Sequence, residues 1–474
     1  MQIKRLLLAT AATATAAFAL IPATAAHADA TAPVPTADAI AAYAAEAFAD
    51  SGLPALSLVV THDGETLYSQ GFGEGFDGEA VTAQTPMRVA SVSKSFTAMA
   101  VMKLVEAGKI SLDDTVASQV PGFAMADPRF AGITVRHLLN QTSGLSDRGL
   151  DAMALRDAPD LAAFTALLAD GELQRDPGTA YEYCNANYDL LARLVEVASG
   201  GSFTDYLDRE VFDPLGMTGS SLGGDAPKGG IEGFGLWASA DELWDDALIG
   251  GSGDVVTNAD DMGKWLINQN GAGTPLVGAD SLSAMHSPSP VSEYGMGWGV
   301  EKPDDGGPDQ VIHAGNLFTY TANQMIIPET GYGFAVMSPT SAIYDESYDI
   351  LTGLVDLTQG REPSPVGTLW IYELVIGLTA LAALGLAALG VVRSRRWAAR
   401  RDGRPAWRIA LRLSPLALPV LLLAAYPSLL GVLFRRDIDW AQCWYRAPSL
   451  LILLAAGAAA ALAVIAARVV RLAK

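Results

Sequence analysis

Cysteine is scarce in this chain, with two among 474 residues, Cys184 and Cys443. They lie in compositionally different regions, so a disulfide framework is excluded and the fold must rest on its core. The five histidines, His27, His62, His137, His286 and His313, show no close metal-ligand spacing, so neither zinc nor another cofactor is expected. Cations are sparse over residues 1–365, where 17 Lys and Arg face 48 Asp and Glu, a net charge of −31. Without clustered cations there is no surface for phosphates, and no nucleic-acid partner is expected. The acidity itself reads as a solvated surface and says little about substrate. Internal repeats are missing, and low complexity is confined to Ala-rich apolar runs.

What is present divides the chain in two. Residues 366–474 carry 14 Lys and Arg against 4 acids, a net charge of +10. Three runs there contain no charge: Leu374 to Val392, Leu413 to Phe434 and Pro448 to Ala467. Each is close to the ~20 residues a helix needs to cross ~30 Å of hydrocarbon. Eight arginines, from Arg393 to Arg412, separate the first two runs, whereas only Arg435, Arg436 and Arg446 separate the second and third. The arginine-rich connection is therefore expected in the cytoplasm and the acidic region outside. Glu373, at the outer edge of the first run, is expected to reach the headgroups; no ionisable residue lies mid-membrane, so transport has no support. At the other end, Lys4 and Arg5, an apolar stretch from Leu6 to Ile21 and the small-x-small site Ala26-His27-Ala28 read as a secretory signal. The expected order is a signal peptide over 1–28, a folded outer domain over 29–357, a linker over 358–373 and a membrane domain over 374–474. This describes a multi-pass cell-membrane protein with its folded domain on the extracytoplasmic side.

Local patterns give the elements of the outer domain. Thr36 can cap a helix from Ala37 to about Ala49, with Gly52 just beyond its end. Ala55 to Val60 and Glu65 to Gly71 flank His62-Asp63-Gly64, a hairpin signal. Apolar residues at helical spacing, Phe96, Met99, Met102 and Val105, predict a buried helix over 91–106. Helical segments broken by Gly and Pro loops follow to about Leu266. Strands return at Gly297 to Val300, Gln310 to Ala314 and around Pro328-Glu329-Thr330-Gly331, before a helical run from Tyr344 to Leu357. The expected fold class is α/β, a mostly antiparallel sheet flanked by helices with an inserted all-helical subdomain, followed by three transmembrane helices.

Ser91-Val92-Ser93-Lys94 is an S-x-x-K match, which arises often by chance. Its placement carries more weight. Residues three apart on a helix are neighbours, so the Lys94 ammonium can lie beside the Ser91 hydroxyl. Backbone N–H groups at a helix start also suit an oxyanion. The plainer alternative is an N-cap serine and a solvated lysine. Tyr183-Cys184-Asn185, after Pro177-Gly178-Thr179, and His313-Ala314-Gly315, before Asn316, complete the set.

Taken with these motifs, residues from about 40 to 355 resemble the serine β-lactamase and penicillin-binding protein family, above all class C enzymes, DD-peptidases and related esterases and D-aminopeptidases. Further shared segments are Arg88-Val89-Ala90, Leu138 to Leu145, Pro214-Leu215-Gly216-Met217 and Tyr294-Gly295-Met296-Gly297-Trp298. The resemblance implies a serine hydrolase working through an acyl-enzyme on Ser91, with Lys94 and Tyr183 sharing its proton. Asn185, His313, Gly315 and Asn316 would bind substrate, and the N–H groups of Ser91 and Asn316 would form the oxyanion hole. The implied substrates are small molecules or peptides: D-amino-acid peptides of the cell wall, β-lactams or small esters. A penicillin-binding sensor that turns over slowly, or an inactive binding protein, is the alternative.

Two positions depart from the family pattern. His313-Ala314 stands where many β-lactamases have Lys and then Thr or Ser, and Gln141 stands where the family often has His. Gly219-Ser220-Ser221-Leu222-Gly223 matches a nucleophile elbow, but without a flanking strand and helix it reads as a loop, as does the dinucleotide-like Gly73 to Gly78. Cys184, between Tyr183 and Asn185 in an extended segment, is expected to be buried on the opposite side.

Overall fold

The computed structural model describes residues 34–243, 248–303, 306–434 and 437–473. The expected signal peptide lies outside these residues. Helix α1 (Ala37–Ser51) begins where Thr36 accepts the Ala39 N–H at 3.2 Å and stops at Gly52 in the left-handed conformation. Strands β1 (Ala55–His62) and β2 (Glu65–Gly73) then pair through Asp63 (φ 47°) and Gly64 (φ 86°), the positive-φ pair that a tight hairpin requires. The buried helix α2 (Ser93–Glu106) and, much later, α3 (Ala186–Ser199) frame the helical insertion. A small hairpin, β3 (Gly230–Gly233) and β4 (Leu236–Ser239), and helix α4 (Ala259–Gln269) follow.

The chain then returns to the sheet with β5 (Gly299–Glu301), β6 (Gln310–Asn316), β7 (Thr321–Ile327) and β8 (Tyr332–Ser338). The six strands are ordered β2-β1-β8-β7-β6-β5 and every pair is antiparallel. After the short strand β9 (Thr340–Ser341), which adds to β3, helix α5 (Glu346–Thr358) closes the domain.

Both sheet faces are covered, and β1, β7 and β8 are buried almost throughout. Leu56, Leu58, Val60, Phe334 and Val336 pack against Ile40 and Ala44 of α1 and Ile350, Leu351 and Leu354 of α5. Val59, Ala335 and Met337 face the other way, into a core holding Phe96 of α2 stacked at 4.1 Å on Trp265 of α4. A fully buried side chain of this size contributes ~1.5–3 kcal/mol, so two such layers hold the fold without disulfides.

The strand expected from Gly297 to Val300 lies two residues later at its start. The G-x-S-x-G segment is no loop: Ser221–Leu222 is a short strand paired antiparallel with Val255 and Val256. It still forms no elbow, because irregular chain over residues 223–229, and no helix, continues from it.

Three helices are long and apolar enough to cross a membrane: Leu369–Val392, Ala406–Leu433 and Pro448–Leu472. Their principal segments are α6 (Leu369–Val392), α7 (Leu418–Phe434) and α8 (Pro448–Leu472). Glu373 does not reach out as expected. It is buried, accepting the Phe234 N–H at 2.8 Å and the Ser449 hydroxyl at 2.8 Å, and so ties the β3–β4 turn to α6 and α8. Its neighbours offer it donors that open headgroup space would not guarantee.

Candidate active site

The chain reaches Ser91 through a strained turn. Ala90 has φ 49°, a conformation that costs a non-glycine residue ~1–3 kcal/mol and persists only when its surroundings enforce it. A single turn of 3-10 helix over Ala90–Val92 follows, and α2 proper starts at Ser93. Gly315 of β6 lies against this turn. A Cβ there would sit 3.0 Å from both the Ala90 Cβ and the Ser91 nitrogen, so only glycine lets the strand approach the serine.

Lys94, one turn on, has no exposed surface. Its Nζ donates to Ser91 Oγ at 3.1 Å, to Asn185 Oδ1 at 2.9 Å and to the Ser252 carbonyl at 2.6 Å. Three acceptors match the three ammonium protons, and a solvated lysine is excluded. A buried ammonium also needs counter-charge. Asp189 supplies it: its Oδ1 accepts the Ser252 N–H at 3.0 Å, the same residue whose carbonyl holds Lys94. Burial pushes the Asp189 carboxyl up to about 6, while the Lys94 charge and the Ser252 contacts pull against that rise.

Tyr183 and Asn185 come from the segment entering α3. Cys184 between them is fully buried, as the alternation requires. The Lys94 Nζ stands 4.9 Å from the Tyr183 ring centre, close enough for the ring face to stabilise the cation. Gln141 holds this segment. Its carbonyl accepts the Glu182 N–H at 2.9 Å and its Oε1 the Cys184 N–H at 3.0 Å, so the departure from histidine provides a brace on both sides of Tyr183.

The third motif lies on β6. Strand β5 pairs only as far as Ile312, which leaves the β6 edge from His313 to Asn316 uncovered by β5 and beside the Ser91 turn. His313 is buried, its Nδ1 2.8 Å from the Ala314 carbonyl and its Nε2 3.0 Å from the Tyr294 hydroxyl. With Nδ1 donating, Nε2 accepts from Tyr294, and the ring is neutral. Burial, then the Lys94 charge, push the imidazole down to about 3, so it does not titrate between pH 5 and 8. The Asn316 side chain turns to Ser341 (3.3 Å) and to the Phe318 N–H (3.1 Å), so its backbone is the part left to the cleft.

Ser91, Lys94, Tyr183, Asn185, His313, Gly315 and Asn316 thus converge at the junction of α2, the entrance to α3 and β6. Sequence reasoning missed Asp189 and Ser252, and named Tyr294 only within a shared segment, with no role. Asp189 lies four residues after Asn185, one turn along the same helix face, a spacing that was available as a signal. Ser252 carried none, and Tyr294 carried only the resemblance of its segment. Among the described residues no cluster of three His, Cys, Asp or Glu side chains offers a metal site.

The Beta-lactamase family model matches residues 38–347. Protein flp of Staphylococcus aureus (strain MRSA252) is 27% identical over 310 residues, 62% of this chain and 60% of that protein. Penicillin-binding protein 4 of Amycolatopsis lactamdurans is 39% identical over 168 residues, 35% of this chain and 44% of the relative. The chain therefore spans less than two thirds of these relatives' length. Among solved structures, the octameric penicillin-binding protein homologue from Pyrococcus abyssi superposes with a TM-score of 0.61 at 26% identity, covering 71% of this chain and 80% of the other. A D-stereospecific amidohydrolase from Streptomyces sp. shares the fold, with a TM-score of 0.52 at 20% identity over 65% and 95% of the two chains.

Proposed function

The chain belongs to the beta-lactamase family, and from that premise we propose that it is a membrane-anchored serine hydrolase working through an acyl-enzyme on Ser91. The observation that carries this reading is the Lys94 ammonium, held 3.1 Å from Ser91 Oγ by two further acceptors. In acylation Ser91 Oγ attacks the substrate carbonyl carbon, its proton passes to the Lys94–Tyr183 pair, and that proton then goes to the departing amine or alcohol. Water repeats the sequence on the ester, releasing the acid and restoring the serine. The N–H groups of Ser91 and Asn316 receive the charge that develops on the carbonyl oxygen. Asn185, besides holding Lys94, faces the substrate amide.

Substrates on this reading are D-amino-acid peptides of the cell wall, β-lactams or small esters. His313, neutral and engaged with Tyr294, brings no cation to a substrate carboxylate, which favours neutral esters and amides over rapid hydrolysis of carboxylate-bearing β-lactams. A signal peptide over 1–28, the hydrolase domain over 29–357, the linker and the three spans complete the organisation, with the domain outside the cell. The test is labelling of the full chain with a fluorescent penicillin and a fluorophosphonate, followed by a chase. Penicillin label on Ser91 lost within minutes supports the hydrolase. Penicillin label that persists for hours supports a slowly turning-over penicillin-binding sensor, and absence of label on Ser91 with both probes rejects the reading.

A further inference from the structure

The two walls of the cleft both stand on the membrane helices. On one side Glu182, next to Tyr183, accepts the Ser146 hydroxyl at 2.9 Å, and two residues further Arg148 donates to the Gly431 carbonyl at 2.6 Å. Gly431 belongs to the last turn of α7, where carbonyls lack helical partners and a guanidinium is favoured. On the other side the Asn316 side chain reaches Ser341 at 3.3 Å, Ser341 pairs with Ile231 of β3, and three residues on the Phe234 N–H meets Glu373 of α6. An extended residue advances ~3.3 Å, so the path from either wall to a helix end is on the order of 10–20 Å.

All these contacts fall at the same ends of the three helices. Glu373 is near the start of α6, Gly431 near the end of α7 and Ser449 at the start of α8, whereas the eight-arginine connection joins the opposite ends of the first two. Exposed Trp370, Tyr372, Trp440 and Trp444 lie at that level, where aromatic rings settle among headgroups. The tip between β3 and β4 adds Phe234 and Leu236, the latter 75% exposed. A hydrolase domain tethered only for retention has no need to place its cleft walls on its anchor; contact through its back would serve.

We propose that the cleft opens along the outer membrane surface and takes an ester or amide carried on a bilayer-anchored amphiphile, with the scissile carbonyl close to the headgroups. This rests on Ser91 being the nucleophile, as proposed above. It gives the three spans a task that one span would not perform: they fix the height and orientation of the cleft above the bilayer.

The test is a molecular ruler. The full chain is reconstituted in phosphatidylcholine vesicles containing a fluorophosphonate linked to phosphatidylethanolamine through a spacer of about 20 Å or about 100 Å, since a tether labels only if it can span the distance. A soluble fluorophosphonate and Ser91→Ala serve as controls. Short and long tethers are expected to label Ser91 at rates within about twofold of each other, and Arg148→Ala combined with Phe234→Ser should slow the short tether about fivefold or more while leaving soluble labelling unchanged. If the soluble probe and the long tether label but the short one is about tenfold slower or silent, the cleft faces away from the bilayer and the inference falls while the hydrolase reading stands. If no probe labels Ser91, both fall.

Discussion

Asp189 and Lys94 meet across a single residue: the carboxylate accepts the Ser252 N–H at 3.0 Å and the ammonium donates to the Ser252 carbonyl at 2.6 Å. The arrangement brings a counter-charge to the buried cation through one shared residue. Burial raises Asp189 to about 6, so the ionised form is present above that pH and is lost as pH falls through it. The acylation rate should therefore decline below about 6. Asp189→Asn keeps an oxygen for the Ser252 N–H but removes the charge. Its acylation rate is expected to drop about tenfold at pH 7.5, equivalent to ~1.4 kcal/mol, and to lose the limb near 6. An unchanged limb in a folded variant would show that Asp189 does not govern it.

Ser91→Ala should abolish covalent labelling and leave thermal stability within ~1 kcal/mol, because the hydroxyl sits at a helix start with little packing of its own. Mass spectrometry of the labelled wild-type chain locates the adduct. Labelling at Ser221 or Cys184 instead would overturn the assignment.

Much of this was legible in the sequence where the physics is local. Thr36 with Gly52, and Asp63 with Gly64, mark their helix and hairpin because capping and positive φ are properties of a few adjacent residues. The three-residue spacing of Ser91 and Lys94 is local as well. What stayed hidden depends on distant partners. Gln141 braces Cys184 from 43 positions away, and Glu373 takes the N–H of Phe234, 139 positions earlier. A lone acid beside an apolar run gives no sign of such a partner, so it read as interfacial. The burial of His313 was hidden for a similar reason: its ring partner, Tyr294, lies on a different segment from the strand that carries it.

Substitution of His313 separates packing from titration. His313→Ala leaves the buried Tyr294 hydroxyl without its acceptor, which costs ~1–3 kcal/mol and should lower the melting temperature measurably. The histidine is neutral throughout pH 5 to 8, so the shape of the activity profile across that range should match that of the wild type. A profile that flattens in the variant would mean that His313 titrates at the site after all.

Topology is open to a direct test. A reporter fused after Arg404, in the connection with eight arginines, is expected in the cytoplasm, and one fused after Asp439 outside. Cysteine-accessibility labelling at the same two positions offers an independent reading. The reverse pattern would place the hydrolase domain inside the cell and contradict both its export and the direction in which the cleft is proposed to open.

The carboxyl of Glu232 makes the seating of the β3–β4 hairpin depend on pH. Glu232 is buried, with Oε1 accepting the Gly235 N–H at 2.5 Å, while Glu373 holds the Phe234 N–H and the Ser449 hydroxyl. Burial first, and the neighbouring Glu373 charge second, push Glu232 up to about 8 from its ordinary 4.5. An acid with a raised pKa in the docked form holds a proton there that it would release when undocked. Docking is therefore favoured below the ordinary value, weakens as pH rises from about 4.5 and reaches its minimum above about 8, with a slope of at most ~1.4 kcal/mol per pH unit for one proton. Amide hydrogen exchange over residues 230–239, corrected for the intrinsic pH dependence of exchange, should be faster at pH 8.5 than at pH 5.5 in the reconstituted chain. Glu232→Gln, which is neutral at both pH values, should show nearly equal protection at the two. Equal protection in the wild type would mean that protonation of Glu232 is not linked to the seating of the hairpin.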